Sequence, residues 1–421
     1  MLRLCRALDA AGTVVELFAE KGYADGEVPQ SSFEREKPVA ETAMLLYAAL
    51  AARRFEEVSY RVGEVARRLI PHARSNQTMV RMCLQPSRAA TLALPHVLLT
   101  RLGFPDPEFE GFARTCLAAS AGVGCERPVV GNVERLWVES MLTGTPPGSD
   151  WRAILRSSLL GGSVDLIGGS REDHYAFTHL LMYSADFGFR APDLPRSVGA
   201  TLAEAESQLA KCLNSQDYDL VGELLMSWPL VGEPWSPAAV FCFRLIANIE
   251  TRLGVLPGGT TRAERLAKLS GEEKRVYAFA TGYHTVYVLG ILCALSLRPG
   301  RLPPEEIDGS RVDQPTLEGL FPHLADGRAA WEGDFDALPD REKVALGPFL
   351  LDLAIDQACR RRDFGRLRDL LEEAVRRAWV PSPFCVQAAE LLERLAARWR
   401  WKRGETAVSE RGRPSVPDPS A

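Results

Sequence analysis

Along most of this chain apolar residues return every three or four positions, as in TAMLLYAALAARRF at 42–55 and LLDLAIDQACRRRDF at 350–364. That period gathers them on one face of an α-helix. Strict alternation, the mark of a half-buried strand, is scarce, so the pattern predicts an all-α protein. Gly, Pro and Ser clusters interrupt it at 143–150, 161–170, 231–237, 255–261 and 297–306. They leave helices of roughly 12 to 20 residues, ordinary lengths for a globular helical chain.

A faint repeat runs through the pattern. DYDLVGELL at 217–225 aligns with DFGRLRDLL at 363–371 and more loosely with RRFEEVSYRV at 53–62. Each is a short polar break, an aromatic and then an amphipathic helix, the way a helical-pair repeat opens its second helix. The expected architecture is therefore stacked antiparallel helix pairs, an α/α solenoid or toroid. Residues 1–401 form one continuous array with a subdivision, if any, near 144–150. The tail at 402–421 is polar, holds three prolines and is expected to be disordered.

Composition narrows the function classes. With 421 residues, 46% apolar and 25% charged, the chain is globular in character. The net charge of -5 offers no basic footprint for nucleic acid, and the excess of 43 arginines over 7 lysines reads as coding bias. Nine scattered cysteines without a C-x-x-C pair indicate neither a zinc ribbon nor a disulfide framework, so reduced thiols in the cytoplasm are expected. The N-terminus carries charges at 3, 6, 9, 16, 20 and 21, unlike a signal peptide. The longest apolar run, 283–297, is short for a membrane span and contains a histidine. No membrane partner is expected, and the oligomeric state stays open.

Candidate chemistry lies where polar residues replace the leucines of apolar helices. His179 and Asp186 in YAFTHLLMYSADFG share a face if the helix continues, about 10 Å apart along its axis. Tyr175 and Tyr183 flank His179 at i-4 and i+4, and Thr178 can bond back into the helix. Asp186 precedes Gly188, a candidate helix C-cap, and an Asx turn or a pair with Arg190 would also account for it. In DYDLVGELL, Asp219 suits a helix N-terminus, whereas Glu223 sits deeper among Val221, Leu224 and Leu225. Gly222 beside it suggests close approach of another backbone. His284 lies on the most apolar helix, beside Tyr283 and Tyr287. A lone buried histidine is ordinarily a satisfied core residue, but burying unpartnered charge costs several kcal/mol, so each of these groups needs a partner or a task. The remaining histidines, 72, 96, 174 and 323, adjoin prolines or charged segments and read as surface or boundary residues.

These blocks in order resemble an uncharacterised family of actinobacterial helical proteins, with a Tyr-x-Leu-Thr-His block ending in Asp-aromatic-Gly, an Asp-Leu-x-Gly-Glu-Leu-Leu block and a later Tyr-His-Thr. The matching residues are Tyr175, Thr178, His179, Asp186, Gly188, Asp219, Gly222, Glu223, Tyr283, His284 and Thr285, with an echo in NVERLW at 132–137. Phe177, Ala185 and Tyr218 depart from the pattern. The resemblance implies one site and an association with specialised metabolism, and no particular reaction.

The sequence supports two functions. In the first, His179, Asp186, Glu223 and His284 catalyse acid-base or metal-assisted chemistry on a small molecule or modified peptide in an α/α cavity. Tyr175, Tyr183, Asp219, Tyr283 and Tyr287 would contact the substrate, and His179, His284 and Glu223 are candidate ligands for Zn²⁺, Mn²⁺ or Fe²⁺. In the second, a non-catalytic helical scaffold holds a peptide or partner protein, which an Arg-lined groove would favour. No P-loop or G-x-S-x-G elbow is present.

Overall fold

A helix that is apolar on every side must be buried on every side. The C-terminal part of Gly271–Ser296 meets that condition, with every residue from Tyr287 to Ser296 buried, while its first turns are charged and exposed. The computed structural model describes residues 1–21, 36–120, 126–259, 261–308 and 331–402, and sets this helix against Leu2–Lys21, Glu36–Ala49 and Tyr218–Leu225. By length and composition it could cross a membrane, but 72% of its most apolar window is buried inside the protein. Gly290 permits the contact, because a Cβ there would lie 2.6 Å from the Ala7 Cβ and 2.8 Å from a Leu45 methyl.

Among the described residues all regular structure is helical, as the period predicts. One apolar cluster runs from Leu4 to Ala388. The first two members of the repeat have the same local structure. Val198–Asn214 and Gly347–Arg361 each lead to a left-handed residue, Gln216 at φ 54° and Arg362 at φ 57°. An aspartate follows, Asp217 or Asp363, whose side chain accepts from the backbone N–H of Leu220 or Arg366 and starts the next helix. The long helices of the two hairpins pack on each other. The third member shares less: Phe55 precedes Glu56–Ala73 without a side-chain cap. At the 144–150 break, Gly144 closes Val129–Thr143 in the left-handed conformation.

Two histidines expected at the surface are core residues. Pro95 lies inside Ala89–Arg101 and breaks nothing there, so His96 is fully buried and accepts from Arg74 Nε at 3.0 Å. Burial and the Arg74 charge push its pKa down to about 4, which keeps it neutral. His174 is also buried, its Nδ1 2.9 Å from the Gln208 amide oxygen. His72 is half-buried, while His323, Cys125 and the tail beyond Lys402 lie outside the described residues. The eight cysteines that are described carry free thiols.

Candidate functional site

Three helices converge on the site. Arg171–Ser184 starts from a capping box in which Ser170 and Asp173 satisfy each other's backbone N–H groups. Tyr218–Leu225 starts from Asp217, and all eight of its residues are buried. Gly222 lets it settle against Gly271–Ser296, since a Cβ there would stand 2.7 Å from a Val288 methyl. The close approach inferred at this glycine is thus to a neighbouring helix's side chain. Tyr218–Leu225 contacts both other helices, which brings His179, Glu223 and His284 together.

Glu223, 2% exposed, is the centre of the arrangement. Its Oε1 lies 3.7 Å from Nε2 of His179 and 3.7 Å from Nε2 of His284. Its Oε2 accepts from the Thr178 hydroxyl at 2.5 Å, and that hydroxyl also reaches the Tyr175 carbonyl at 2.9 Å. One turn earlier, Asp219 Oδ2 is 3.4 Å from His284 Nε2, accepts from the Tyr175 phenol and pairs with Arg171 at 3.2 Å. On the other side of the His284 ring, Glu41 Oε2 stands 3.1 Å from Nδ1.

Charge balance follows from this geometry. Burial would raise the Glu223 pKa, but the two imidazoles beside it override that and hold the carboxyl well below its usual range. For His179, burial acts downward and Glu223 more than offsets it, so the pKa is raised. His284 is driven well above its ordinary value: burial opposes, and Glu41, Asp219 and Glu223 prevail. Burial and the neighbouring carboxylates push the Tyr175 phenol upward, keeping it a donor. Pairs of titratable groups whose environments push their pKa values apart are the usual substance of acid-base sites.

The cluster faces a cavity of about 290 Å³. Met44, Leu92, Leu94, Met182, Phe187, Met226 and Ile291 supply apolar walls, and His179, Glu223, His284, Tyr183 and Tyr287 line it too. A third of the His179 side chain is accessible, so the imidazole is available to a ligand in this space. A second cavity, about 370 Å³, is lined by Arg171, Tyr175, Asp219, Gly258, Tyr283 and Thr285. Lys37 and His284 border both cavities. The five substrate-contact candidates are therefore divided, Tyr183 and Tyr287 on the first cavity and Tyr175, Asp219 and Tyr283 on the second.

Asp186 does not join the cluster. Its helix ends at Ser184, and Asp186, Phe187 and Gly188 follow with φ of 48°, 50° and 75°. This left-handed turn carries the carboxylate away from the His179 face, where it accepts from Trp137 Nε1 at 2.8 Å and Tyr47 at 3.0 Å. Arg190 donates to the Ser184 and Tyr183 carbonyls rather than to Asp186. Asp186 anchors an aromatic layer in which Trp137 stacks on Phe187 and Tyr183. Asp186→Ala is expected to cost about 2 kcal/mol by stranding the buried indole N–H, with Asp186→Asn recovering most of it in urea unfolding.

The structure adds residues that the periodic reading passed over. Glu41 is one, and Glu134, which accepts from Tyr183 at 3.2 Å, is another. The echo in NVERLW marks Glu134 and Trp137. Glu41 gives no such signal, since it lies four residues after Lys37 and resembles an ordinary surface ion pair, which it also makes at 3.6 Å.

Fold and site together define an all-helical cavity protein with a histidine–carboxylate cluster in its wall. The chain belongs to the family described as "Domain of unknown function (DUF6895)", which matches residues 4–294 and so takes in every residue of the cluster. No curated protein and no solved structure matches it.

Proposed function

We propose that the chain is a cytoplasmic enzyme acting on a small molecule or modified peptide within the cavity. The reading rests chiefly on one observation: a buried carboxylate, Glu223, lies between two imidazoles that both line a largely apolar cavity. A lone carboxylate in that wall would be costly, and the groups that offset this one are themselves titratable and face the cavity. In this reading His179 exchanges protons with the bound molecule, Glu223 holds that imidazole in orientation and charge, and His284 with Asp219 sets the charge of Glu223. The chemistry is acid-base or metal-assisted. Tyr183 and Tyr287 position the substrate on the apolar side, and Tyr175 and Tyr283 act on the polar side. The helix pairs are read as a closed rather than an open array, supported by the return of Gly271–Ser296 onto the two N-terminal helices. The resemblance to actinobacterial proteins suggests specialised metabolism as the setting.

One feature favours a scaffold instead. An open groove lined by Trp151, Arg152, Arg156, Arg190 and Asp193, with Asp193 pairing Arg152 at 2.9 Å, keeps a net positive charge that suits an acidic peptide. The readings are separated by incubating wild-type protein and Glu223→Gln with a small-molecule extract of the producing cells and following it by mass spectrometry. The enzyme reading expects a compound consumed by wild type and left intact by the variant. A compound or peptide retained unchanged by both proteins, with nothing consumed, supports the scaffold.

A further inference from the structure

We propose that Asp219, Glu223 and His284 hold a single divalent cation of the Mn²⁺ or Fe²⁺ type, with Glu41 behind the histidine as its orienting carboxylate. This rests on the reading of the cluster as the working part of the cavity. One ligand atom from each residue lies within 4.8 Å of the others. His284 Nε2 is 3.4 Å from Asp219 and 3.7 Å from Glu223. Two donors about 2.1 Å from one ion stand roughly 3.0 Å apart at a right angle and roughly 3.4 Å apart at the tetrahedral angle. The two spacings to His284 thus match or slightly exceed the tetrahedral separation and exceed the right-angle one by about 0.4 to 0.7 Å, so the ion would draw its ligands inward.

An independent sign comes from hydrogen bonding. Both ring nitrogens of His284 are buried and neither makes a hydrogen bond, although Asp219 and Glu223 lie beside Nε2 and Glu41 beside Nδ1. Oδ1 of Asp219, on a residue only 4% exposed, is likewise without a hydrogen-bond partner. A nitrogen flanked by two carboxylate oxygens yet bonded to neither fits a third centre among them. Glu41 Oε2 stands 3.1 Å from Nδ1 without hydrogen-bond alignment, and a small turn of the ring toward an ion on Nε2 would make it the orienting carboxylate of a carboxylate–histidine–metal arrangement. Three carboxylates surround this one imidazole, with Lys37 on Glu41, Arg171 on Asp219 and His179 beside Glu223, so a cation would take the place of the His284 proton. Two oxygens and one nitrogen, without a thiolate, suit Mn²⁺ or Fe²⁺ better than Cu⁺. His179 is outside the ligand set and stays on the cavity side.

The test uses the full chain, stripped with a chelator and titrated with Mn²⁺ at several pH values from about 7 to 9, because the ion must displace the proton that the neighbouring carboxylates hold on His284. Free Mn²⁺ is read by electron paramagnetic resonance. One Mn²⁺ per chain is expected. Asp219→Asn and His284→Gln should weaken binding by more than about tenfold, and Glu41→Gln by about tenfold or more, as for an orienting carboxylate. His179→Gln should change it by less than about threefold, with circular dichroism showing each variant folded. Absence of one-to-one binding by the wild type overturns the assignment without recourse to any variant. An equal loss in His179→Gln also overturns it, because the ion would then sit between the two histidines. If no ion binds while the extract compound is still consumed, the metal site fails and the enzyme reading stands. A bound ion with nothing consumed gives the converse.

Discussion

Replacing Glu223 with leucine is expected to cost on the order of 3 kcal/mol, the scale for removing one partner from a buried charged network. The leucine fits the apolar surroundings, but Thr178 loses its acceptor and His179 and His284 lose the carboxylate that offsets their charge. Glu223→Gln keeps an oxygen for Thr178 and should cost about half as much. The loss depends on pH. Because the Glu223 pKa is lowered by folding, its contribution is present above the unfolded carboxyl value, near 4.3, and disappears as pH falls through the folded value. Because the His179 and His284 pKa values are raised, theirs is complete below about 6.5 and is lost as pH rises through the folded values. The stability difference between wild type and Glu223→Leu, from chemical unfolding, should therefore be largest at about pH 5 to 6. A difference that is flat between acid and alkaline pH would contradict the shared network.

Asp352 is expected to behave in the opposite sense. It is 2% exposed between Val198–Asn214, Gly347–Arg361 and Pro383–Lys402, accepting from Ser207 at 2.7 Å and from Ser382. Burial raises its pKa to about 7, and the two hydroxyls pull only weakly against it. With the folded value above the unfolded one, its contribution is complete below about pH 4 and is lost as pH rises through 7. Asp352→Asn has no such penalty. Relative to wild type, the variant should gain on the order of 3 kcal/mol in unfolding free energy between acid pH and about pH 8. A constant difference between the two proteins would show that folding leaves the Asp352 pKa unshifted.

The two cases show what the sequence could and could not reveal. Glu223, His179, His284 and Asp219 were legible because each interrupts an apolar helical pattern, where a charged group demands an explanation. The convergence of three distant helices on Glu223 follows from packing at Gly222 and Val288, which periodicity does not encode. Asp186 was misplaced for a definite reason: helical spacing was extended beyond Ser184, where the backbone turns left-handed. His96 looks like a boundary residue in the sequence because Pro95 precedes it, yet that proline sits within Ala89–Arg101. Glu41 was hidden by its ordinary appearance beside Lys37. Asp352 was equally hidden, since LLDLAID has the pattern of an amphipathic helix whose aspartates face water. The repeat was legible only where an aspartate cap and a left-handed residue recur, at 216–217 and 362–363.

The central claim is that His179 and His284 are one electrostatic unit through Glu223. Carbon-13 labelled histidine in the full chain, titrated by NMR, tests it without a substrate. Six histidines give six resonances to assign, and His179→Gln and His284→Gln identify the two that matter. The account predicts that both titrate above the ordinary histidine value of about 6.5, that His96 stays neutral down to about pH 4, and that Glu223→Gln lowers both midpoints together. Midpoints at or below 6.5 in the wild type, or a Glu223→Gln variant that moves only one of them, would contradict it.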